Sequence, residues 1–215
     1  KGNGINYFLK NVLKRELGKP LSIKYYKNQI DIDYLLSVEE MFFLNKCLSK
    51  CKNIIEIGSG FGRLPHSIIS NYKNIENYLI IDLEWMLKIS KEYLKKVLDD
   101  KNFSKIKFLS VEEYQDDNLK KKMAGYKFDL GINVDSFQEM PTNVAYDYLK
   151  FISNTCKYFY SKNAICKYRP SSVNIKLQDD SQFQAALKMG LCKEVIDIYD
   201  TNELDFQKIK YFETY

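Results

Sequence analysis

A strand-like run followed by three alternating glycines constrains the fold of this chain more than any other segment. The run covers residues 54–57, and Gly58, Gly60 and Gly62 follow it before a helical pattern begins at Arg63. Glycine reaches positive φ without steric cost, and because it has no Cβ a ligand can lie against its main chain. A helix after such a turn starts with unpaired amide groups, which bind polar ligand atoms. The segment therefore predicts a ligand-binding turn between a strand and a helix.

The spacing of the glycines separates the known kinds of nucleotide-binding loop. A dinucleotide-binding loop, Gly-x-Gly-x-x-Gly, would place its third glycine where Arg63 stands, and no Gly-Lys-Ser/Thr of a P-loop follows. The pattern Glu-x-Gly-x-Gly-x-Gly instead resembles the first motif of class I S-adenosylmethionine-dependent methyltransferases. This resemblance implies S-adenosyl-L-methionine as cofactor and a binding loop made of Glu56, Gly58, Ser59, Gly60 and Gly62.

A second acidic residue supports a nucleoside site. The apolar run 78–81 ends in Asp82, at a position where a doubly wound sheet binds a ribose diol. We expect Asp82 to bind the ribose hydroxyls, with Leu83 beside it. The end of the third strand is expected to border the adenine with Ser110, Val111 and Glu112.

Strand and helix patterns alternate from residue 53 onward. This alternation predicts an α/β fold, in which a doubly wound, mostly parallel sheet carries helices on both faces. Two alternating runs near the end of the chain predict a closing antiparallel hairpin, and the class I resemblance implies seven strands. The predicted strands are 53–57, 78–82, 106–109, 128–134 and 161–168, the helices 63–72, 84–98, 112–123, 142–158 and 181–189, and the hairpin strands 193–199 and 207–215.

Two apolar stripes at helical spacing precede the sheet pattern, one over residues 5–13 and one over 35–48. The breaker Gly18-Lys19-Pro20 separates them. We therefore expect an N-terminal helical cap over residues 1–50, followed by a cofactor-binding domain over 51–215.

Composition narrows the classes of partner. The net charge of +5 comes mostly from lysine, with three arginines in the chain, which does not favour nucleic acid as a partner. No apolar stretch approaches the roughly 20 residues of a membrane span, and no signal-peptide pattern opens the sequence, so we expect a cytoplasmic protein. The five cysteines are scattered and only one histidine is present, so we expect reduced thiols and no metal. The oligomeric state is left open.

The segment after the fourth strand is the expected place for catalysis. Asp135 and Glu139 are the candidate general bases there, and Asn133 is expected to contact the cofactor. The segment lacks the Asn/Asp-Pro-Pro-aromatic sequence of nucleic-acid amino methyltransferases. His66 is a third candidate base, since histidine titrates near neutral pH, although its place early in a helix also fits a capping or exposed role.

The segment Asn-Val-Asp-Ser-Phe-Gln-Glu-Met-Pro, with the glycine motif and Tyr146-Asp147-Tyr148, is similar to the bacterial sugar O-methyltransferase family of surface-polysaccharide gene sets. The resemblance covers about residues 40–170 and implies a sugar hydroxyl, or a glycan precursor, as methyl acceptor. The candidate acceptor-binding residues are Arg63, Ser136, Gln138, Tyr168 and Arg169.

Three other functions stay open. One is methylation of another acceptor, such as a small metabolite, an RNA or a protein. A second is a cofactor-binding homologue without turnover. A nicotinamide oxidoreductase is the third, and Arg63 in place of the last glycine disfavours it.

Overall fold

The computed structural model describes residues 5–25, 28–123 and 125–163, with the side chains of all of these except Tyr25, Asn28, Gln138 and Thr142. A two-stranded antiparallel sheet is formed by β1 (Ser22–Tyr25) and β2 (Asn28–Asp31). Within these ranges the central sheet has five parallel strands: β3 (Asn53–Ile57), β4 (Asn77–Asp82), β5 (Ile106–Ser110), β6 (Phe128–Val134) and β7 (Cys156–Lys162).

Two helices precede the parallel strands and the others lie between them. They are α1 (Ile5–Leu9), α2 (Ile32–Leu48), α3 (Arg63–Asn71), α4 (Glu84–Val97), α5 (Asp100–Phe103), α6 (Val111–Tyr114), α7 (Asp117–Met123) and α8 (Thr142–Thr155), with a 3₁₀ turn at Phe137–Glu139. Buried residues of α2, α3 and α4 pack on one face of the sheet, and those of α6, α7 and α8 pack on the other. Successive side chains of β3 point to opposite faces of the sheet, because side chains alternate along a strand. Ile54 belongs to the core on the face of α2, α3 and α4, and Ile55 belongs to the core on the other face.

The strand order β5-β4-β3-β6-β7 places the site. The chain moves outward from β3 to β5 and then returns to the other side of β3. In open α/β sheets, ligands bind outside the carboxyl ends of the strands at this point of reversal. The predicted doubly wound α/β fold is confirmed, and the crevice lies between the ends of β3 and β6.

Some predicted boundaries differ from the observed ones. The last parallel strand starts at Cys156 rather than at residue 161, because the aromatic run Cys-Lys-Tyr-Phe-Tyr pairs with β6, where Phe159 lies opposite Gly131. The predicted helix 112–123 is divided into α6 and α7, and α1 ends at Leu9 although Val12 is buried. The β1–β2 hairpin in the N-terminal region was not predicted. The helix 181–189 and the closing hairpin lie outside the described residues.

The N-terminal region shares its core with the sheet. Phe8, Met41 and Leu48 belong to the same buried cluster as Ile54 of β3. The domain boundary at residue 50 stays a prediction. Across the described ranges, none of the helices combines the length and the apolar character that crossing a bilayer requires.

Candidate cofactor and acceptor site

The turn after β3 requires its three glycines for different reasons. Gly58, Gly60 and Gly62 have φ angles of 76°, 58° and 99°, a region that residues with a Cβ rarely adopt. A Cβ on Gly58 would overlap the side chain of Ser136, and one on Gly62 would lie 2.9 Å from Leu94. A Cβ on Gly60 would meet nothing within 4 Å. Gly60 therefore faces open space, where a ligand can approach the backbone.

The start of α3 completes this turn. Gly62 is the N-cap residue, and no side chain caps the helix. The hydroxyl of Ser59 is buried and has no hydrogen-bond partner within the described part of the chain. A buried hydroxyl without a hydrogen-bond partner costs free energy. A polar ligand atom bound at this loop would supply the missing partner.

Asp82 joins the end of β4 to the glycine loop. Its Oδ2 accepts a hydrogen bond from the Gly60 amide at 3.0 Å, and its Oδ1 accepts one from the Leu83 amide at 2.8 Å. Burial raises the pKa of Asp82, while the backbone N–H groups act in the opposite direction. A carboxylate has about four lone-pair positions, so the Asp82 side chain can still accept hydrogen bonds from a diol.

The end of β5 adjoins Asp82, since Asp82 and Ser110 are paired in register. The Ser110 hydroxyl accepts from the Glu113 amide at 3.1 Å, and the Glu113 carboxylate accepts from the Ser110 amide at 2.9 Å. This capping box commits the Ser110 side chain to the start of α6. Leu83 is exposed, Val111 is half-buried and Glu112 is exposed, so these three remain available to a ligand.

A hydrogen-bond network fixes the segment after β6. The Asn133 amide is fully buried and donates to the Ile57 carbonyl at 2.9 Å and to Ser136 Oγ at 2.5 Å. Its Oδ1 accepts from the Phe137 amide and from Asn163 Nδ2. Ser136 Oγ also donates to the Ile57 carbonyl, at 3.1 Å.

These contacts change the roles that we expected from the sequence. Asn133 was predicted to contact the cofactor and Ser136 the acceptor, but their hydrogen bonds join the segment after β6 to the strand that carries the glycine loop. We therefore treat both as positioning residues and do not retain them as ligand contacts.

The two candidate carboxylates are exposed on this segment. Asp135 has a φ of 56°, and its amide donates to the Lys162 carbonyl at 2.8 Å. Glu139 ends the 3₁₀ turn. Among the described residues, neither carboxylate has a hydrogen-bond partner, so both are available to an acceptor. The side chain of Gln138, and Tyr168 and Arg169 altogether, lie outside the described residues.

His66 is neither exposed nor a helix cap, contrary to that expectation. Its side chain is fully buried, and Nδ1 lies 2.6 Å from the hydroxyl of Tyr34, which in turn lies 2.5 Å from that of Tyr93. Burial lowers the pKa of His66 from 6.5 to about 4. We do not retain it as a base, because a buried imidazole with this pKa is a weak proton acceptor.

Arg63 lies in an ion pair inside the protein. Its guanidinium donates to both carboxylate oxygens of Glu40, at 2.8 and 3.2 Å, and to the Asp33 carbonyl. The Glu40 side chain is fully buried, and Lys162 Nζ lies 3.5 Å from it. Arg63 is therefore held by α2 and is not retained as an acceptor ligand.

Glu56 lies beneath the same loop, on the face of β3 that carries Ile54. The Tyr78 hydroxyl donates to its carboxylate at 2.8 Å. Burial raises the pKa of Glu56 to about 8, although Tyr78 and Arg63 favour the charged form. Glu40 was not predicted from the sequence as a residue of this site. The signal that could have indicated it is an acidic residue within a helix that is buried.

The fold belongs to a known class. The overall fold is similar to that of solved methyltransferase structures. The sequence matches no protein-family model and no curated protein.

Solved structures with this fold include the methyltransferase domain of a bacterial CtHen1 protein. It has 17% identity and a TM-score of 0.51 over 74% of this chain and 83% of that one. A Staphylococcus aureus protein provisionally named a caffeoyl-CoA O-methyltransferase has 13% identity and a TM-score of 0.52, over 88% and 79%. An O-methyltransferase family protein from Burkholderia thailandensis has 12% identity and a TM-score of 0.49, and the match covers 73% of this chain but 46% of that protein. At these identities the likeness concerns the fold.

Proposed function

We propose that this chain is an S-adenosylmethionine-dependent methyltransferase. The observation that carries the proposal is the meeting of the open Gly60 backbone with the Asp82 carboxylate at the carboxyl ends of β3 and β4, next to the reversal point of the sheet. A glycine turn alone would be a weak argument. Its contact with an acid at the end of the neighbouring strand forms the two halves of a nucleoside-binding unit.

The residues of this crevice fit the proposed cofactor. The loop from Gly58 to Gly62 would lie beneath it, and the buried Ser59 hydroxyl would gain a partner. Asp82 would accept hydrogen bonds from the ribose hydroxyls, and Leu83 and Val111 would border the adenine. When bound, S-adenosylmethionine supplies a methyl group on a positively charged sulfur.

We propose a sugar hydroxyl, on a glycan or a glycan precursor, as the acceptor. The similarity of the segment after β6 to sugar O-methyltransferases supports this choice, and the missing Asn/Asp-Pro-Pro-aromatic sequence disfavours a nucleobase amine. For a hydroxyl acceptor the protein has two tasks, alignment and removal of a proton. Glu139 is the proposed base and Asp135 the alternative, since both carboxylates are exposed on the segment that faces the crevice. The proposed location is the cytoplasm.

Calorimetric titration with S-adenosylhomocysteine tests the cofactor assignment directly. We expect binding to the wild-type protein and weakened binding to Asp82→Ala. Absence of binding to the folded wild-type protein would remove the proposal.

Transfer of a radiolabelled methyl group then tests the acceptor. A panel of nucleotide sugars and oligosaccharides is compared with RNA, protein and small-metabolite acceptors. Labelling confined to the sugars supports the proposed acceptor. Labelling of another class replaces it, and cofactor binding without any product identifies a non-catalytic homologue.

A further inference from the structure

Two cysteines lie together at the end of α2, away from the cofactor crevice. Cys47 lies in the last turn of the helix, and Cys51 lies just before β3. Their Sγ atoms are 3.5 Å apart, and the Cys51 amide donates to the Cys47 carbonyl at 3.1 Å. An i,i+4 pair with this helical hydrogen bond has its Cα atoms about 6 Å apart, which is inside the range that a disulfide bridges.

The surroundings of the pair differ for the two thiols. Both cysteines line a groove of about 440 Å³, in which Cys47 is partly exposed and Cys51 is buried. Three lysines line the same groove, Lys46, Lys50 and Lys157, together with the carboxylate residue Asp129. A small polar oxidant therefore reaches Cys47 first.

The chemistry of the pair also assigns different roles. The hydrogen bond from Cys51 lowers the pKa of Cys47 to about 7, although burial and Asp129 act in the opposite direction; Lys157 acts in the same direction as Cys51. The thiolate is the nucleophilic form of cysteine. The hydrogen bond to Cys47 and burial both raise the pKa of Cys51, which favours its protonated form.

We propose that Cys47 and Cys51 form a reversible oxidation site for a hydroperoxide. The Cys47 thiolate attacks the terminal peroxide oxygen and the O–O bond breaks; with one proton the products are a Cys47 sulfenic acid and the alcohol of the hydroperoxide, which is water when the oxidant is hydrogen peroxide. The Cys51 sulfur then attacks the Cys47 sulfur. An S–S bond forms, and the hydroxyl of the sulfenic acid leaves as water with the proton of Cys51. A small dithiol returns the disulfide to two thiols.

Cys156 provides a matched control. Burial raises the pKa of its thiol to about 11, and its sulfur lies beside the Thr155 hydroxyl; within residues 5–163 as described, no second cysteine is hydrogen-bonded to it. Cys156→Ser is therefore expected to leave the reaction of the pair unchanged.

Peptide mass spectrometry after treatment with hydrogen peroxide tests the proposal. Trypsin cuts after Lys46, Lys50 and Lys52, so a disulfide joins peptides 47–50 and 51–52. We expect this joined pair from the wild-type protein and from Cys156→Ser, and its loss on treatment with dithiothreitol. In Cys51→Ser the reaction stops at the sulfenic acid, and dimedone then labels Cys47. Cys47→Ser gives neither product.

Several results would overturn the inference. One is that both peptides remain thiols in peroxide-treated wild-type protein. Another is that Cys51→Ser, folded as judged by circular dichroism, gives no dimedone adduct on Cys47. Oxidation of Cys51 in Cys47→Ser at the wild-type rate would also reject the assigned order. If Cys51→Ser fails to fold, the wild-type peptides and Cys47→Ser decide the outcome.

Discussion

The Asp82 carboxylate accepts a hydrogen bond from the Gly60 amide at 3.0 Å, which ties the end of β4 to the loop that follows β3. The two residues are 22 positions apart in sequence. Because β3 and β4 are parallel neighbours, their carboxyl ends meet at one edge of the sheet. This contact makes the glycine loop and the acid a single site.

Asp82→Ala is expected to weaken binding of S-adenosylhomocysteine, since the ribose hydroxyls lose a charged acceptor. A hydrogen bond to a charged group contributes about 1.5–3 kcal/mol, which corresponds to roughly a 10- to 150-fold rise in Kd. Calorimetry measures the change. Asp99→Ala is the control, because Asp99 caps α5. Equal affinities of wild-type protein and folded Asp82→Ala would reject the ribose assignment.

Gly60→Val is expected to leave a folded protein that no longer binds the cofactor. A Cβ at this position meets no protein atom within 4 Å, so the added side chain projects into the proposed ligand space. The positive φ of Gly60 still costs about 1–2 kcal/mol with a Cβ present. Circular dichroism and a calorimetric titration separate folding from binding. Wild-type affinity in Gly60→Val would contradict the placement of the ligand.

Gly58→Ala is expected to destabilise the protein in a way that depends on Ser136. Its Cβ would overlap the Ser136 side chain, and Ser136→Gly removes that overlap. We expect the cost of Gly58→Ala to be smaller in the Ser136→Gly background, with a coupling free energy of about 0.5–3 kcal/mol. Urea unfolding of the two single variants and the double variant measures it. Additive effects would show that the two sites are independent.

Glu40→Ala is expected to lower the free energy of unfolding by about 3–5 kcal/mol, because it leaves the Arg63 guanidinium buried without its partner. The control is Glu76→Ala, which breaks the exposed pair with Lys52 at 2.7 Å and should cost about 0–1 kcal/mol. Urea unfolding compares the two variants. Similar losses of stability in both variants would mean that the buried ion pair contributes no more than the exposed pair.

Glu56 should make the stability of the protein fall as the pH rises from 6.5 to 8, although the lowered pKa of Cys47 acts in the opposite direction above about pH 7. Burial raises the pKa of Glu56 from 4.5 to about 8, so the folded protein keeps a proton that the unfolded chain has released. The free energy of unfolding therefore decreases with pH across this window, by up to about 2 kcal/mol. His66 has the opposite sign, since burial lowers its pKa from 6.5 to about 4 and its contribution is lost as the pH falls through that range.

Two variants separate these contributions. Glu56→Gln should flatten the decline between pH 6.5 and 8, whereas His66→Gln should retain it. Urea unfolding at several pH values provides the measurement. The same slope in wild-type protein and Glu56→Gln would show that Glu56 does not hold the proton.

Glu139→Gln is expected to lower kcat by about 10²- to 10⁴-fold if this carboxylate removes the acceptor proton. Glu92→Gln, on the exposed surface of α4, is the control. His66→Gln should keep the pH profile of the rate. Wild-type turnover in both Glu139→Gln and Asp135→Asn would eliminate the proposed bases.

The sequence by itself determined the parts of this protein that depend on neighbouring residues. Apolar strands alternating with amphipathic helices predicted the doubly wound sheet, and the three glycines predicted the positive φ angles of the loop. An acid at the end of the next strand was predicted to lie beside that loop, because parallel strands bring their carboxyl ends together.

Only the tertiary structure decided which polar side chains remain available to a ligand. Arg63 is paired with Glu40, His66 with Tyr34, and Asn133 with the Ile57 carbonyl, across 23, 32 and 76 positions of sequence. No local pattern encodes such partners, because they are set by how helices pack on the sheet. Most buried polar groups are paired within the fold, so packing turned these three predicted site residues into parts of the framework that holds the site.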